Sequence, residues 1–190
     1  MKLMRMVCKE ISEQEYSPDS NSVNNVSVNM DTEATNINLW HSDCFHRVIL
    51  VTACSSKKAD KPSPAMYLYL STRIKQTREI AREFNIPLYI LSAKYGLICG
   101  HTVIEPYETV MTEKQMMLKL PETISKLRIL KDRGLETVVY YRAGARKSYE
   151  SLLYLAAKYT DVKFVSVGFG NLGGLQELRQ KLAEILNDVS

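Results

Sequence analysis

The chain has 190 residues, of which 45% are hydrophobic, 24% charged and 8% aromatic. This composition is typical of one ordinary soluble domain with a short appendage, and it argues against a fibrous protein. No apolar run approaches the ~18 to 20 residues needed to cross a bilayer, and the four cysteines are scattered without a spaced framework. We therefore expect a cytoplasmic protein that carries thiols rather than disulfides and has no membrane partner.

The formal net charge of +4 is divided unevenly along the chain. Residues 1–46 carry three basic and seven acidic side chains, whereas residues 47–190 carry 22 basic and 14 acidic ones, a net charge of +8. A cationic surface raises the local concentration of anions. This distribution favours nucleotides or nucleic acid as partners, and the alternative is ordinary surface charge.

The first 45 residues differ in composition from the rest. Ten of the 22 residues from Ser17 to Asn38 are Ser or Asn, and the apolar residues among them show no sustained periodicity. Such a segment buries too little apolar surface to offset the entropy of ordering it. The sequence predicts a poorly structured N-terminal arm over residues 1–45 and an α/β domain over residues 46–190.

Four short apolar runs in the second segment have the composition of buried strands. They are rich in β-branched and aromatic residues and nearly continuous in apolarity, as in parallel strands covered on both faces. These runs cover residues 48–53, 87–93, 137–141 and 162–167. Helical stripes separate or follow them, over residues 66–84, 117–130 and 175–185, and Pro121 is expected to break or restart the second helix. This alternation predicts a three-layer, Rossmann-like α/β domain with a mainly parallel sheet.

In an open α/β sheet the ligand crevice lies outside the carboxyl ends of the strands. The segment after the first predicted strand has the sequence Cys54, Ser55, Ser56, Lys57 and Lys58. Its hydroxyl and ammonium groups are suited to holding phosphate or carboxylate, and a desolvated lysine can act as nucleophile or base. The alternative is a solvated basic loop.

The segment after the second predicted strand carries a cation, carboxylates and phenols within one long loop. Lys94 and Glu105 are candidates for proton transfer, and a structural ion pair between them is the alternative. The other candidates in this segment are expected to contact substrate, and they are Ser92, Tyr95, Gly96 and Tyr107.

The third segment places Arg142, Arg146 and Lys147 before a predicted helix, where free backbone N–H groups favour an anion. We predict Arg142 as a substrate-binding residue, with exposed helix-start charges as the alternative. The segment is not a P-loop, because the first glycine of that motif is missing.

The fourth segment matches the spacing GxGxxG through Gly168, Gly170 and Gly173. No strand with an acidic tip follows it, so a dinucleotide is not expected. Gly168 and Gly170 are predicted to form a phosphate-binding backbone nest or to allow close packing of a helix on a strand. His41, Cys44, His46 and Cys54 fit no zinc template, so we predict neither a metal nor a cofactor.

Two of these segments resemble known families. The stretch Cys54 to Ser63 is similar to a Cys-Ser-x-Lys-Lys motif in the domain shared by archaeosine synthase and archaeal tRNA-guanine transglycosylase relatives. The run Ser92 to Leu97, with Pro106 and Tyr107, resembles small uncharacterised domains related to the YaaA peroxide-stress proteins. The resemblance extends over about Arg47 to Tyr107. It implies an α/β domain associated with nucleic acid, in deazaguanine-type base chemistry or in DNA binding during oxidative stress.

These observations together predict a domain that handles a nucleotide, a nucleobase or a nucleic-acid end, linked to base modification or glycosylase-like base removal. Lys58, Lys94 and Glu105 are the catalytic candidates. A nucleic-acid binding protein without catalysis, or a small-molecule sensor, is the alternative. A second copy of the chain or a partner enzyme is a further candidate partner.

Overall fold

The computed structural model describes residues 46–168 and 174–188. The predicted N-terminal arm lies outside these residues. Within them, strands and helices alternate as the apolar pattern predicts. The strands are β1 (Val48–Ala53), β2 (Ser63–Pro64), β3 (Leu88–Ser92), β4 (Gly96–Cys99), β5 (Val103–Ile104), β6 (Thr137–Tyr141) and β7 (Lys163–Val167). The helices are α1 (Ala65–Leu68), α2 (Thr72–Glu83), α3 (Glu113–Asp132), α4 (Lys147–Thr160) and α5 (Gly174–Asn187).

Five strands form one twisted sheet in the order β4-β3-β1-β6-β7, and β2 pairs with β5 in a separate two-stranded ribbon. Strands β3, β1, β6 and β7 are parallel, and β4 is antiparallel to β3 at one edge. Every residue of β1, β3 and β6 is buried, which accounts for their continuous apolarity. The prediction of an α/β fold with a mainly parallel sheet is confirmed.

The sheet reverses its direction of growth next to β1. The chain leaves β1 through α2 to reach β3 on one side, and later crosses through α3 to reach β6 on the other. Since parallel crossovers are right-handed, α2 and α3 lie on opposite faces of the sheet. Helix α3 packs against α4, and an ion pair of 2.8 Å joins Arg179 of α5 to Glu83 of α2. The carboxyl ends of β1, β3 and β6 therefore border the crevice of the fold.

The expectation that Pro121 interrupts its helix was wrong, because α3 runs unbroken from Glu113 to Asp132. Proline removes one backbone donor, and the helix is held on either side of it by other contacts. Thr112 caps the first turn by accepting from the N–H of Gln115, and the Thr123 hydroxyl donates to the carbonyl of Lys119. Leu120 and Leu127 are buried, so tertiary packing outweighs the local cost of proline.

The helical stripe predicted from Met66 to Phe84 is two helices rather than one. Residues 69 and 70 leave the helical path because this segment pairs with the loop after β1: Ala59 N–H donates to the Leu68 carbonyl, and Leu70 N–H donates to the Lys57 carbonyl. Ser71 then caps the new helix α2 through its side chain. This break brings residue 69 beside the loop that carries the first group of candidate residues.

Candidate functional site

Tyr107 is the centre of a cluster at the carboxyl ends of β1 and β3. Its hydroxyl oxygen lies 2.7 Å from Ser92 Oγ and 2.9 Å from the hydroxyl oxygen of Tyr69. Ser92, the last residue of β3, also accepts backbone N–H bonds from Lys94 and Tyr95, at 3.2 and 3.0 Å. The loop after β3 is thus folded back onto the end of its own strand.

Two lysines from different loops converge on the ring of Tyr107. Lys58 Nζ lies 4.5 Å from the ring centroid, and Lys94 Nζ lies 5.9 Å from it. Lys58 also donates to the carbonyl of Ser56 at 3.1 Å, while Lys94 lies 4.8 Å from the ring of Tyr95. The structure therefore brings together the segments after the first two predicted strands.

The rings of Tyr69 and Tyr95 both meet the Tyr107 ring edge to face. The centroid distances are 6.3 Å for Tyr69 and 5.4 Å for Tyr95, with interplanar angles of 85° in both cases. The Tyr95 hydroxyl donates to the backbone carbonyl of Glu105 at 3.5 Å. The three aromatic rings and the two ammonium groups thus form one contiguous cluster.

Cys54 follows β1 directly and lies on the inner side of this cluster, with only 8% of its surface exposed. Its sulfur is 3.0 Å from the hydroxyl oxygen of Tyr149, which comes from α4. The sulfur therefore contacts a phenol that lies 95 residues away in the sequence.

Burial raises the pKa values of the phenols in this cluster. The pKa of Tyr69 is raised to about 12, chiefly because its surroundings exclude the water that would solvate a phenolate. Burial likewise raises the pKa of Tyr107 and that of Tyr149 far above the ordinary value, and proximity to Cys54 adds to both shifts. All three phenols are consequently protonated at neutral pH and each has a proton to donate.

Arg73, in the first turn of α2, joins the ends of β1 and β6. Its guanidinium donates to the carbonyls of Ala53 and Cys54, both at 3.0 Å, and to that of Ala143 at 3.3 Å. Arg73 Nε is buried without a partner among the described residues, as is the hydroxyl of Tyr140 in β6. The arginine thus holds the backbone of Cys54 in place.

Sequence analysis missed Tyr69, Arg73 and Tyr149, because each stands on a helical stripe or beside one. Tyrosine on an apolar stripe is typical of core packing, and the contacts of Tyr69 and Tyr149 span 38 and 95 residues. The position of Arg73 in the sequence could have indicated its role. A cation in the first turn of the helix after β1 is within reach of the strand ends.

The remaining candidates of the first two loops lie around this cluster with fewer contacts. Ser55 donates from its hydroxyl to the Lys57 carbonyl at 3.1 Å, and Ser56, Lys57 and Glu105 are exposed. Gly96 has φ +67°, and a Cβ there would stand 2.6 Å from a carboxylate oxygen of Glu122. The structure therefore gives Gly96 a conformational role, whereas the sequence had predicted it only as a residue that contacts substrate.

The third and fourth segments follow β6 and β7. In the sheet, these two strands lie on the other side of β1 from β3. Arg142 makes an ion pair of 3.5 Å with Glu150, which also accepts from the Ser166 hydroxyl at 2.7 Å. Gly168 has φ +86°, and its N–H donates to the carboxylate of Glu177 at 3.2 Å. This N–H, which an anion nest would use, thus faces a carboxylate.

Gly170 lies outside the described residues, so its predicted role in binding stays a prediction. His41 and Cys44 also lie outside them. Among residues 46–168 and 174–188, no group of three or more potential metal ligands was found. No helix in these same ranges is long and apolar enough to cross a membrane.

The fold and this cluster define a class: a three-layer α/β domain with a cationic, tyrosine-lined site at the strand ends beside its central strand. Residues 48–164 match a family of unknown function, DUF6884, and the chain belongs to that family. The matched segment includes Cys54, Lys58, Lys94 and Tyr107. Comparisons with curated proteins and with solved structures gave no match.

Proposed function

We propose that this site binds a nucleotide, a nucleobase or a nucleic-acid end, and that the domain serves base modification or base removal. The observation that carries the proposal is the convergence of Lys58 and Lys94 on one tyrosine ring, Tyr107. Lysines that come from two separate loops lie within about 10 Å of each other here, although like charges repel. An anion placed between them would offset this repulsion.

The charges around the two lysines support an anionic ligand. No ion pair joins Lys58 or Lys94 to a carboxylate within the part of the chain that the structure describes. Ammonium groups make strong, charge-assisted hydrogen bonds to phosphate oxygens. The net charge of +8 over residues 47–190 acts in the same direction at longer range.

The aromatic groups support a base next to the phosphate. The side chain of Tyr95 is half-buried at the rim, and Lys94 lies over its ring. Nucleic-acid sites commonly combine stacking on aromatic rings with cations that follow the phosphates. A ligand that carries both a phosphate and a planar base therefore fits the site better than a simple carboxylate.

For the reaction, we propose that Lys58 or Lys94 protonates the departing or altered base, and that Glu105 accepts a proton from water or substrate. The resemblance to deazaguanine-related domains supports this chemistry. Glu105 is exposed and belongs to the loop that Tyr95 holds at its backbone carbonyl.

The test is binding of labelled single-stranded oligonucleotides and nucleoside monophosphates at about 50 and about 200 mM salt, followed by mass spectrometry for free or altered base. Lys58→Ala and Lys94→Ala should each weaken binding about tenfold. Lys75→Ala, which removes an exposed charge on α2, is the matched control and should leave affinity within about twofold.

An equal effect of all three substitutions would contradict the proposed site and assign binding to general surface charge. Binding that depends on Lys58 and Lys94 but yields no altered base would retain the ligand class. It would then assign the protein to non-enzymatic nucleic-acid binding.

A further inference from the structure

The two lysines at the Tyr107 ring come from loops whose backbones are tied to the body of the fold. The backbone of Lys58 forms an antiparallel bridge with that of Tyr69. The N–H of Lys94 donates to Ser92 Oγ, at the end of β3, at 3.2 Å. Each side chain therefore starts from a backbone position that hydrogen bonds define. Two positive charges are held near one ring by the fold itself.

The immediate contacts of these lysines leave both charges uncompensated. Within residues 46–168 and 174–188, no ion pair joins either of them to a carboxylate. Lys58 donates to the carbonyl of Ser56, and Lys94 lies over the ring of Tyr95, and both of these groups are neutral. A ligand that neutralises the site must therefore bring two negative charges close together.

The surroundings of the Tyr107 ring limit how such a ligand can approach. The hydroxyl end of the ring is turned toward Ser92 and Tyr69, which are 0% and 3% exposed. The rings of Tyr69 and Tyr95 meet it edge to face, and Tyr107 itself is 7% exposed. A strand that continues on both sides of the contact needs an open groove. The end of a strand, or a mononucleotide, needs only one point of entry.

We propose that the anion of this site is a terminal phosphate monoester, carried by a mononucleotide or by the end of a nucleic-acid strand, rather than an internal phosphodiester. A monoester has a charge of about −1.5 to −2 at pH 7 and three free acceptor oxygens. An internal diester has a single negative charge. The monoester therefore matches the two lysines, and the ammonium group of lysine is a compact charge that is common in phosphate sites.

This inference rests on the proposed function in placing an anionic ligand at the lysines, and it selects among the ligands that the proposed function leaves open. Two successive internal phosphates, one on each lysine, would supply the same total charge. That arrangement requires the strand to run across the enclosed ring of Tyr107. The enclosure of the ring therefore favours the monoester, and the two arrangements differ in the ligands that they bind.

The experiment compares ligands that differ only in the state of the phosphate. Titration calorimetry of the full chain at about 50 mM salt gives the affinities for adenosine 5′-monophosphate, adenosine 3′-monophosphate and the cyclic 3′,5′-monophosphate, and the set is repeated with the other common bases. The cyclic compound keeps the base and the sugar but is a diester. We expect the better monoester to bind about tenfold or more tighter than the diester. A ratio below about threefold would overturn the proposal.

The same ratio in lysine variants tests whether the selectivity arises at this site. Lys58→Ala and Lys94→Ala each remove one charge and should reduce the ratio to about threefold or less. Lys58→Arg keeps the charge and should keep the ratio near that of the wild type. Lys75→Ala, at an exposed position of α2, is the control and should leave the ratio unchanged. A wild-type ratio in both alanine variants would place the monoester elsewhere on the chain and contradict the proposal.

Two further comparisons distinguish failure of this inference from failure of the proposed function. Ribose 5-phosphate carries the terminal phosphate without a base. If it binds as tightly as the nucleotide and depends on Lys58 and Lys94, the inference stands and a site for bases is refuted. Single-stranded oligonucleotides are compared with and without a terminal phosphate. If they bind equally and depend on the same lysines, the proposed function stands and the inference fails. Absence of binding by all of these compounds would refute both.

Discussion

The guanidinium of Arg73 donates to the carbonyl oxygen of Cys54 at 3.0 Å, so the first turn of α2 holds the residue that directly follows the central strand. The same side chain also reaches Ala53 and, across the sheet, Ala143. One arginine thus ties the loop after β1 to the loop after β6. These are the two loops between which the sheet changes its direction of growth.

Replacing Arg73 by alanine should destabilise the fold by about 2 to 3 kcal/mol, because three carbonyls at the strand ends lose a charged donor. Arg73→Lys should recover only part of this loss, since an ammonium group lacks the planar fork that bonds several carbonyls together. Urea unfolding measures the change. Arg82→Ala, at an exposed position of the same helix, is the control and should cost less than about 0.5 kcal/mol. Equal costs at the two positions would contradict the bridging role.

Gly96→Ala should destabilise the fold by about 1 to 3 kcal/mol for two separable reasons. The residue has φ +67°, a left-handed conformation that strains any side chain, and its new Cβ would stand 2.6 Å from Glu122 Oε1. Glu122→Ala removes the collision but not the backbone strain. In that background Gly96→Ala should cost less than in the wild type but still more than zero, by urea unfolding. An identical cost in both backgrounds would show that Glu122 moves aside freely.

The buried tyrosines predict a loss of stability at high pH. Burial raises the pKa of Tyr69 and that of Tyr89 to about 12, from about 10 in the unfolded chain. Between these values the unfolded chain releases protons that the folded chain retains, so the free energy of unfolding falls as pH rises. Stability should be nearly flat from pH 7 to about 9 and decline from about pH 10 to 12.

Unfolding in urea at a series of pH values checks this decline, and Tyr89→Phe should make it shallower. Ile80→Val, a core change without a titrating group, should instead lower stability by about 1 kcal/mol at every pH. A parallel shift in both variants would mean that Tyr89 does not contribute to the pH dependence.

The sequence was sufficient for the main sheet because its strands are short apolar runs, but it did not reveal the edge strand β4. Residues 96–99 begin with glycine and pair antiparallel with β3, so their structure depends on the turn before them. The residues of the site likewise fall into those that the sequence indicates and those that it does not. Lys58, Lys94 and Tyr107 stand in loops rich in polar residues, where their chemistry is visible in the sequence. Tyr149 meets Cys54 only because α4 packs beside the end of β1, which local pattern does not encode.

The ring of Tyr107 should matter for anion binding apart from its hydroxyl group. Lys58 and Lys94 both lie over or beside this ring, and each cation–π contact contributes about 0.5 to 1 kcal/mol at an exposed site. Tyr107→Leu removes both contacts and should weaken binding of a nucleoside monophosphate by about 5- to 30-fold. Tyr107→Phe keeps the ring and should remain within about twofold of the wild type. Titration calorimetry below the melting temperature of each variant measures these affinities, with Leu118→Ala, at an exposed position of α3, as the control. Equal losses in the phenylalanine and leucine variants would assign the effect to the hydroxyl network. The ring would then have no part in placing the two ammonium groups.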